Sequence, residues 1–508
     1  MARPSRRWVI RRLRASGLLS VRGIARFARS AMANGSNLAS LLDFAARHYR
    51  HAPALVVGEE ALSFAELASQ CDRMAAVLRE KHAVGPGDKV GVLGRNGAPL
   101  VRAVFAASRV GARVYLLNPD MAPGQLATLI SHHELKLVIA DEACTKAMDH
   151  TGCPVVAADR LLAEAPSARP SLGRVGGGEL VVLTGGTTGL PKAAPRRPAP
   201  SRFLLLFVHL AAALELDRYP SAFLAVPLSH GYGIAAFLVA LTLGRTVHMM
   251  PRFDAAAGCG LIEREGIQAM VVVPSMLRRM LGQEGADLSS LRCVVSGGAA
   301  LAPQLALETR RRLGDVLFNL YGTSEGGVAI FAAPADLAAA PDTIGREIWG
   351  VTVTIRGEDD APRPDGELGR LCVESKAAVA SRSWIETGDV GFRDAQGRLF
   401  VRGRSDDMIV SGGENVHPWE VESVLETHPD VREAVVVGVP DPDFGQRLVA
   451  FVVPAGGCEC TAPQLSAWLS ERVARYQRPR AIELCAALPL TPVGKVDRKA
   501  LIGSWSEA

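Results

Sequence analysis

No stretch of this 508-residue chain is apolar for long enough, without interruption, to cross a bilayer as a helix. The nearest approach is residues 221–244, which carry no charge, but Pro227, Ser229, His230, Gly231 and Gly233 break the run near its middle. It reads instead as a buried strand (222–226), a polar loop and a buried helix (234–243). Cysteine is scarce as well. The nine cysteines stand singly apart from Cys458 and Cys460, with no zinc-like spacing. A disulfide framework is not expected in so long a chain, so they read as small buried apolar side chains in a reducing compartment. Acid is missing altogether from residues 1–31, which hold nine arginines, so a net charge of +5 leaves −4 for the rest. A mildly acidic body does not suit general nucleic-acid binding.

What is present is a soluble globular composition, 48% hydrophobic and 21% charged, in a chain too long for one small core. In the basic arm, Ile10, Leu13, Gly17, Val21 and Ile24 recur at roughly helical spacing among arginines. That pattern suits an amphipathic helix on anionic lipid. A solvated arm and a targeting segment are the alternatives; a secretory signal, lacking a continuous apolar core, is not expected.

From residue 37 onward helix and strand alternate. Helices are expected over 37–48, 64–80, 99–110, 125–133 and 303–313, and strands over 89–93, 113–117, 135–140, 268–273 and 293–296. Repeated βα units mean parallel sheets covered by helices. Residues 163–178 form a Pro/Gly/Ser/Ala-rich connector. After Gly345 short strands and turns suggest a β-rich subdomain.

The connector leads into Val181-Val182-Leu183-Thr184-Gly185-Gly186-Thr187-Thr188-Gly189-Leu190-Pro191-Lys192. Small residues let backbone N–H groups and threonine hydroxyls ring an anion, and Lys192 adds a mobile charge. This is not a Walker A loop, because Leu190-Pro191 precedes the lysine. Ser296-Gly297-Gly298-Ala299 ends a buried strand in small residues, where a parallel sheet opens a ligand crevice. Asn319-Leu320-Tyr321-Gly322-Thr323-Ser324-Glu325 packs an aromatic plate, hydroxyls and a carboxylate beside glycines. Such a set can stack on a purine, bond a phosphate and hold Mg²⁺. Asp389 follows a turn glycine and could take a ribose diol. Arg404-Ser405-Asp406 leads to Ser411-Gly412-Gly413-Glu414, and Gly494-Lys495 lies close to the C-terminus.

Together, from about residue 38 to 501, these stretches resemble the adenylate-forming superfamily of acyl-CoA synthetases, adenylation domains and luciferases, most of all bacterial fatty acyl-CoA or aryl-CoA ligases. The resemblance implies an α/β fold in three parts. After a basic arm (1–33) comes a large domain (34–405) of parallel-rich sheets and helices with a β-rich subdomain. A small mobile α+β domain (406–508) follows a hinge at Asp406. It implies ATP, Mg²⁺ and coenzyme A as co-reactants. Thr184, Gly185, Gly186, Thr187, Thr188, Gly189 and Lys192 would face pyrophosphate. Gly297, Gly298, Ala299, Asn319, Tyr321 and Gly322 would hold the adenine, Thr323 the α-phosphate, Glu325 the metal, and Asp389 and Arg404 the ribose. Lys495 would bridge carboxylate and α-phosphate, His230 would position the acid, and Ser411, Gly412, Gly413 and Glu414 would line the CoA path.

The sequence departs from the family at Gly185, where serine is usual, in Ala193–Arg197, and in a short run from Glu374 to Trp384. No aspartate stands near His230, so an amino-acid substrate is disfavoured. Ile234, Phe237, Leu238 and Val271–Val273 suit an apolar tail, and Gly297, Gly298 and Gly322 leave room for a long one. The expectation is a cytoplasmic acid–thiol ligase for a medium- or long-chain fatty acid, with peripheral contact to the inner membrane face through the arm. An aryl-CoA ligase, or a fatty acyl-AMP ligase loading a carrier protein, is the alternative.

Overall fold

The strongest apolar runs of the chain become the centres of two parallel-rich sheets. In this computed structural model the described residues are 20–35, 37–148, 151–184, 192–196, 207, 209–323, 327–375, 384–411, 414–456, 460–491 and 495–505. The chain divides into two compact units, residues 1–352 with 374–383, and residues 353–373 with 384–508.

Among the described residues of the first unit, a nine-stranded sheet is built from β1 (Pro53–Val57), β2 (Glu60–Ser63), β9 (Ser221–Leu224), β10 (Thr246–Met249), β11 (Ala269–Val272), β12 (Cys293–Gly297), β13 (Leu317–Thr323), β14 (Gly327–Ala332) and β15 (Arg346–Glu347). Their order is β15-β14-β13-β12-β11-β9-β10-β1-β2. A six-stranded sheet holds β3 (Lys89–Leu93), β4 (Arg113–Leu117), β5 (Leu137–Ala140), β6 (Val155–Ala157), β7 (Leu180–Thr184) and β8 (Lys192–Arg196), in the order β6-β5-β3-β4-β7-β8. Central strands pair in parallel, whereas β2, β8, β14 and β15 return antiparallel at the edges. A central parallel strand is covered on both faces, which is why Val90, Val92, Val114 and Val138 are all buried.

Helix α1 (Val21–Asn34) is followed by α2 (Leu38–His48), α3 (Phe64–Glu80) and α4 (Ala98–Arg109). α3 starts where Ser63 and Glu66 form a capping box, each satisfying the other's backbone N–H. α2, α3 and α4 share one core with β1, β3, β4 and β7, including Phe64, Leu67, Phe105, Val114 and Val182.

The connector is strapped to this helical layer. Arg109 donates to Asp72 (3.1 Å) and to the Gly173 carbonyl (2.9 Å), and Arg169 donates to Asp72 (2.5 Å) and Asp43 (3.3 Å). Arg79 reaches the Leu172 carbonyl at 3.3 Å. Asp43, Asp72 and Arg109 are buried, so each needs its partner to offset desolvation. The segment that delivers β7 is therefore held by charge as well as by packing.

Most of a four-stranded sheet lies in the second unit, made of β16 (Val351–Arg356), β17 (Gly369–Ser375), β18 (Ile385–Arg393) and β19 (Leu399–Arg404), with β18 antiparallel to both β17 and β19. The short strands expected after Gly345 are these. Beyond them lie β20 (Ile409–Ser411), β21 (Glu414–Val416), β22 (Val431–Asp441), β23 (Gly445–Pro454) and β24 (Ala481–Leu484). β22 shows the period of two plainly. Ala434 and Val436 bury with Val421 and Leu465, while Val435, Val437 and Val439 bury on the other face with Leu488 and Leu501.

Candidate active site

β7 and β8 form a hairpin with Thr184 and Lys192 as register partners at its loop end. The glycine loop thus springs from the end of a buried parallel strand. Gly185, Gly186, Thr187, Thr188 and Gly189 lie outside the described residues, as does everything about the side chains of Thr184 and Lys192.

β12 and β13 run parallel, with Ser296 opposite Asn319 and Gly297 opposite Leu320. Ser296 and Asn319 are buried, and among the described residues neither the Ser296 Oγ nor the Asn319 Oδ1 has a hydrogen-bond partner. An unsatisfied buried polar atom costs on the order of 1–3 kcal/mol, so two neighbours at a strand end mark a place for polar ligand atoms. A purine ring edge, with donors and acceptors in one plane, fits that pair. Gly298 and Ala299 follow, and Gly298 has φ +78°, a region that favours glycine. Further along β13 a register shift falls between Tyr321 and Gly322, and a Cβ on Gly322 would collide with the Gly327 carbonyl. A bulge of this kind re-aims the adjoining side chains, here Tyr321 and Thr323. Glu325, the expected metal ligand, lies outside the described residues. One carboxylate would suffice for Mg²⁺, which commonly takes one or two together with phosphate oxygens of the substrate.

His230 caps helix α5 (Gly231–Thr242), in extended backbone geometry. The loop before it is clamped by Asn96, whose buried amide donates to the Val226 carbonyl (2.9 Å) and accepts from the Leu228 N–H (2.8 Å). Sequence reasoning missed Asn96, since its partners lie about 130 positions away. It missed Tyr232 too. That ring packs on Gly297, where an added Cβ would meet the Tyr232 Cζ at 3.1 Å, and its hydroxyl donates to the Val295 carbonyl at 2.9 Å. Burial of the hydroxyl end raises its pKa well above the usual phenol value, so it stays protonated.

The apolar wall expected for a tail is largely spent elsewhere. Ile234 and Phe237 belong to the core shared with Phe105, and Val272 is fully buried in a second core. The room expected beside Gly297 is taken by Tyr232 and the Leu320 carbonyl, and that beside Gly322 by β14.

In the second unit Asp389 on β18 and Arg404 on β19 are register partners, with Arg404 Nη1 at 3.6 Å from Asp389 Oδ1. Gly388 has φ +77°, and a Cβ there would lie 2.8 Å from Arg404 Nη2. The two residues assigned to the ribose thus stand side by side. Asp406 lies in the 3-10 turn Ser405–Asp407. The next residue, Asp407, lies 3.6 Å from Arg498, which also donates to Glu422 at 2.8 Å. Ser411 and Glu414 face each other across the β20–β21 hairpin, with Gly412 and Gly413 outside the described residues. Lys495 is exposed and closes a small loop, its N–H donating to Thr491 Oγ1 (3.2 Å) and its carbonyl accepting from the Thr491 N–H (2.7 Å).

The family model "AMP-binding enzyme" matches residues 42–384, and "AMP-binding enzyme C-terminal domain" matches residues 420–495. The chain is 31% identical to an indoleacetate–CoA ligase of Aromatoleum aromaticum, over 86% of this chain and 92% of that one. It is 32% identical to a feruloyl-CoA synthase of Amycolatopsis, over 89% and 95%. Among solved structures, the amide bond synthetase McbA from Marinactinospora thermotolerans superposes with a TM-score of 0.80 at 28% identity, covering 91% of this chain and 99% of that one. The chain belongs to the AMP-binding enzyme family, within the adenylate-forming superfamily of acid–thiol ligases that work with ATP, Mg²⁺ and coenzyme A.

Proposed function

We propose that the chain activates a compact aryl or arylalkanoic acid as its acyl-adenylate, releasing pyrophosphate, and passes the acyl group to coenzyme A. The observation that carries the choice of acid is Tyr232, locked by the Val295 carbonyl in the space Gly297 would otherwise leave open. A planar ring can stop at that floor, and a long flexible chain needs it moved. The names of the two relatives above, one for indoleacetate and one for ferulate, support the same class. A medium- or long-chain fatty acid is the second reading, favoured by the partly buried Leu238 and Val271.

In this reading Asn319, Ser296 and Tyr321 take the adenine and Asp389 with Arg404 takes the ribose. Thr323, Thr184, Thr187, Thr188 and Lys192 take phosphate oxygens. Mg²⁺, held by Glu325, would neutralise phosphate charge. The attacking carboxylate is already ionised, so no general base is required. Lys495 places positive charge where it develops during attack on the α-phosphorus, the kind of electrostatic stabilisation that usually dominates. His230 positions the acid through a loop held by Asn96. Transfer to the thiol then uses rotation at Asp406, which exchanges Lys495 for the Ser411–Glu414 hairpin. A carrier-protein thiol in place of coenzyme A is the alternative acceptor.

The test is thioester formation across benzoic, arylacetic, hydroxycinnamic and C8–C16 fatty acids, with coenzyme A or a phosphopantetheinyl carrier protein. A higher kcat/KM for the aryl acids with free coenzyme A supports the proposal. Preference for the fatty series transfers it to the second reading.

A further inference from the structure

Helix α1 carries its apolar residues on the outside. At 100° per residue, Val21, Ile24, Ala25, Ala28 and Met32 share one side, and Gly23, Ser30 and Asn34 lie half a turn away. The structure buries the second set and exposes the first, with Val21 86%, Ile24 55% and Met32 66% exposed. The orientation is fixed by polar and aromatic contacts to α2. Asn34 donates to Asp43 at 3.1 Å, Phe27 meets Phe44 edge-on at 5.8 Å, and Ser20 caps the first turn. Burying glycine, serine and asparagine while exposing valine, isoleucine and methionine inverts the usual pattern, and so asks what covers the outer face. Arg22 and Arg29 are exposed along its margin, six more arginines precede the helix, and no acid occurs before Asp43.

Charge decides among the occupants. The preceding residues or a second copy of α1 would set arginines against arginines. A surface of uniform negative charge over an apolar interior matches both the margin and the face. At 14 residues, about 21 Å, the helix is too short to span a hydrocarbon layer of about 30 Å. We propose that the outer face of α1 docks in the plane of an anionic lipid bilayer, with Val21, Ile24 and Met32 inserted and Arg22 and Arg29 at the headgroups.

The test is co-sedimentation of the full chain, without ATP or acid, with vesicles of phosphatidylcholine alone or mixed with phosphatidylglycerol. The mixed vesicles should bind it, and the binding should weaken from low to high salt. Replacing Val21, Ile24 and Met32 together by aspartate should reduce it at least about tenfold, and Arg22→Glu with Arg29→Glu by about fivefold per arginine. Because all five side chains are exposed, melting temperature and activity on a soluble acid should stay at the parent value. Thioester assays on the same samples separate this surface from the active site. Absence of binding to the mixed vesicles, equal binding by the triple aspartate variant, or equal binding to neutral vesicles would overturn the proposal.

Discussion

Ser296 and Asn319 stand opposite each other on neighbouring parallel strands, and among the described residues neither side-chain oxygen has a hydrogen-bond partner in its buried setting. Register partners on a sheet project to the same face, so the two oxygens form one polar spot rather than two isolated defects. Asn319→Ala is therefore expected to leave thermal stability unchanged or slightly raised. It should also increase the KM for ATP about tenfold, the equivalent of about 1.4 kcal/mol. Melting curves and pyrophosphate exchange on one preparation check it. A large loss of stability with unchanged ATP affinity would make Asn319 a structural residue only.

The Asp389–Arg404 pair predicts sugar discrimination. A carboxylate that takes the ribose diol loses half its target in 2′-deoxy-ATP. Asp389→Ala should reduce kcat/KM for ATP by tenfold or more and for 2′-deoxy-ATP by much less. Equal losses with both nucleotides would detach Asp389 from the ribose.

Tyr232 predicts the size of the acid. Tyr232→Ala removes the floor beside Gly297 and should raise kcat/KM for C8–C12 acids relative to aryl acids by roughly tenfold, about what two buried methylenes supply. An unchanged ratio would mean that the tail runs elsewhere.

The buried charges on α2–α4 set stability. Asp72→Ala strands Arg109, and loss of one partner of a buried pair typically costs about 3–5 kcal/mol. Burial alone would raise the pKa of the Asp43 carboxyl, but hydrogen bonding and attraction from Arg47, with attraction from Arg169, hold it below the ordinary range. A depressed folded pKa means that the contribution of Asp43 is present above about pH 4 and is lost as pH falls through the folded value. Asp43→Asn should flatten the acid limb of a stability–pH curve measured by denaturant titration, and an unchanged acid limb would remove Asp43 from this account.

The regular elements were readable because their causes are local. Phe64–Glu80 announces itself through the helical spacing of its apolar residues, and Lys89–Leu93 and Arg113–Leu117 through continuous apolar runs. The antiparallel edges escaped, because β2 and β15 are short and, like β14, gain meaning only from the strands they pair with. The motif residues were readable by type and order. Asn96 and Tyr232 were not, since a clamp on Val226 and Leu228 and a ring against Gly297 are juxtapositions that no local window contains. The apolar residues around His230 misled for the same reason: hydropathy cannot separate Phe237 in a core from a wall open to ligand.

In the proposed reaction a carboxylate attacks the α-phosphorus of ATP with Lys495 opposite the developing charge. Acid-dependent exchange of labelled pyrophosphate into ATP, run on the parent and on Lys495→Ala, tests it most directly. Exchange should appear only with a suitable acid and fall on the order of 10²–10³-fold in the variant, while thioester formation from supplied acyl-adenylate largely survives. No exchange with any acid, or exchange at parental rate without Lys495, would contradict it.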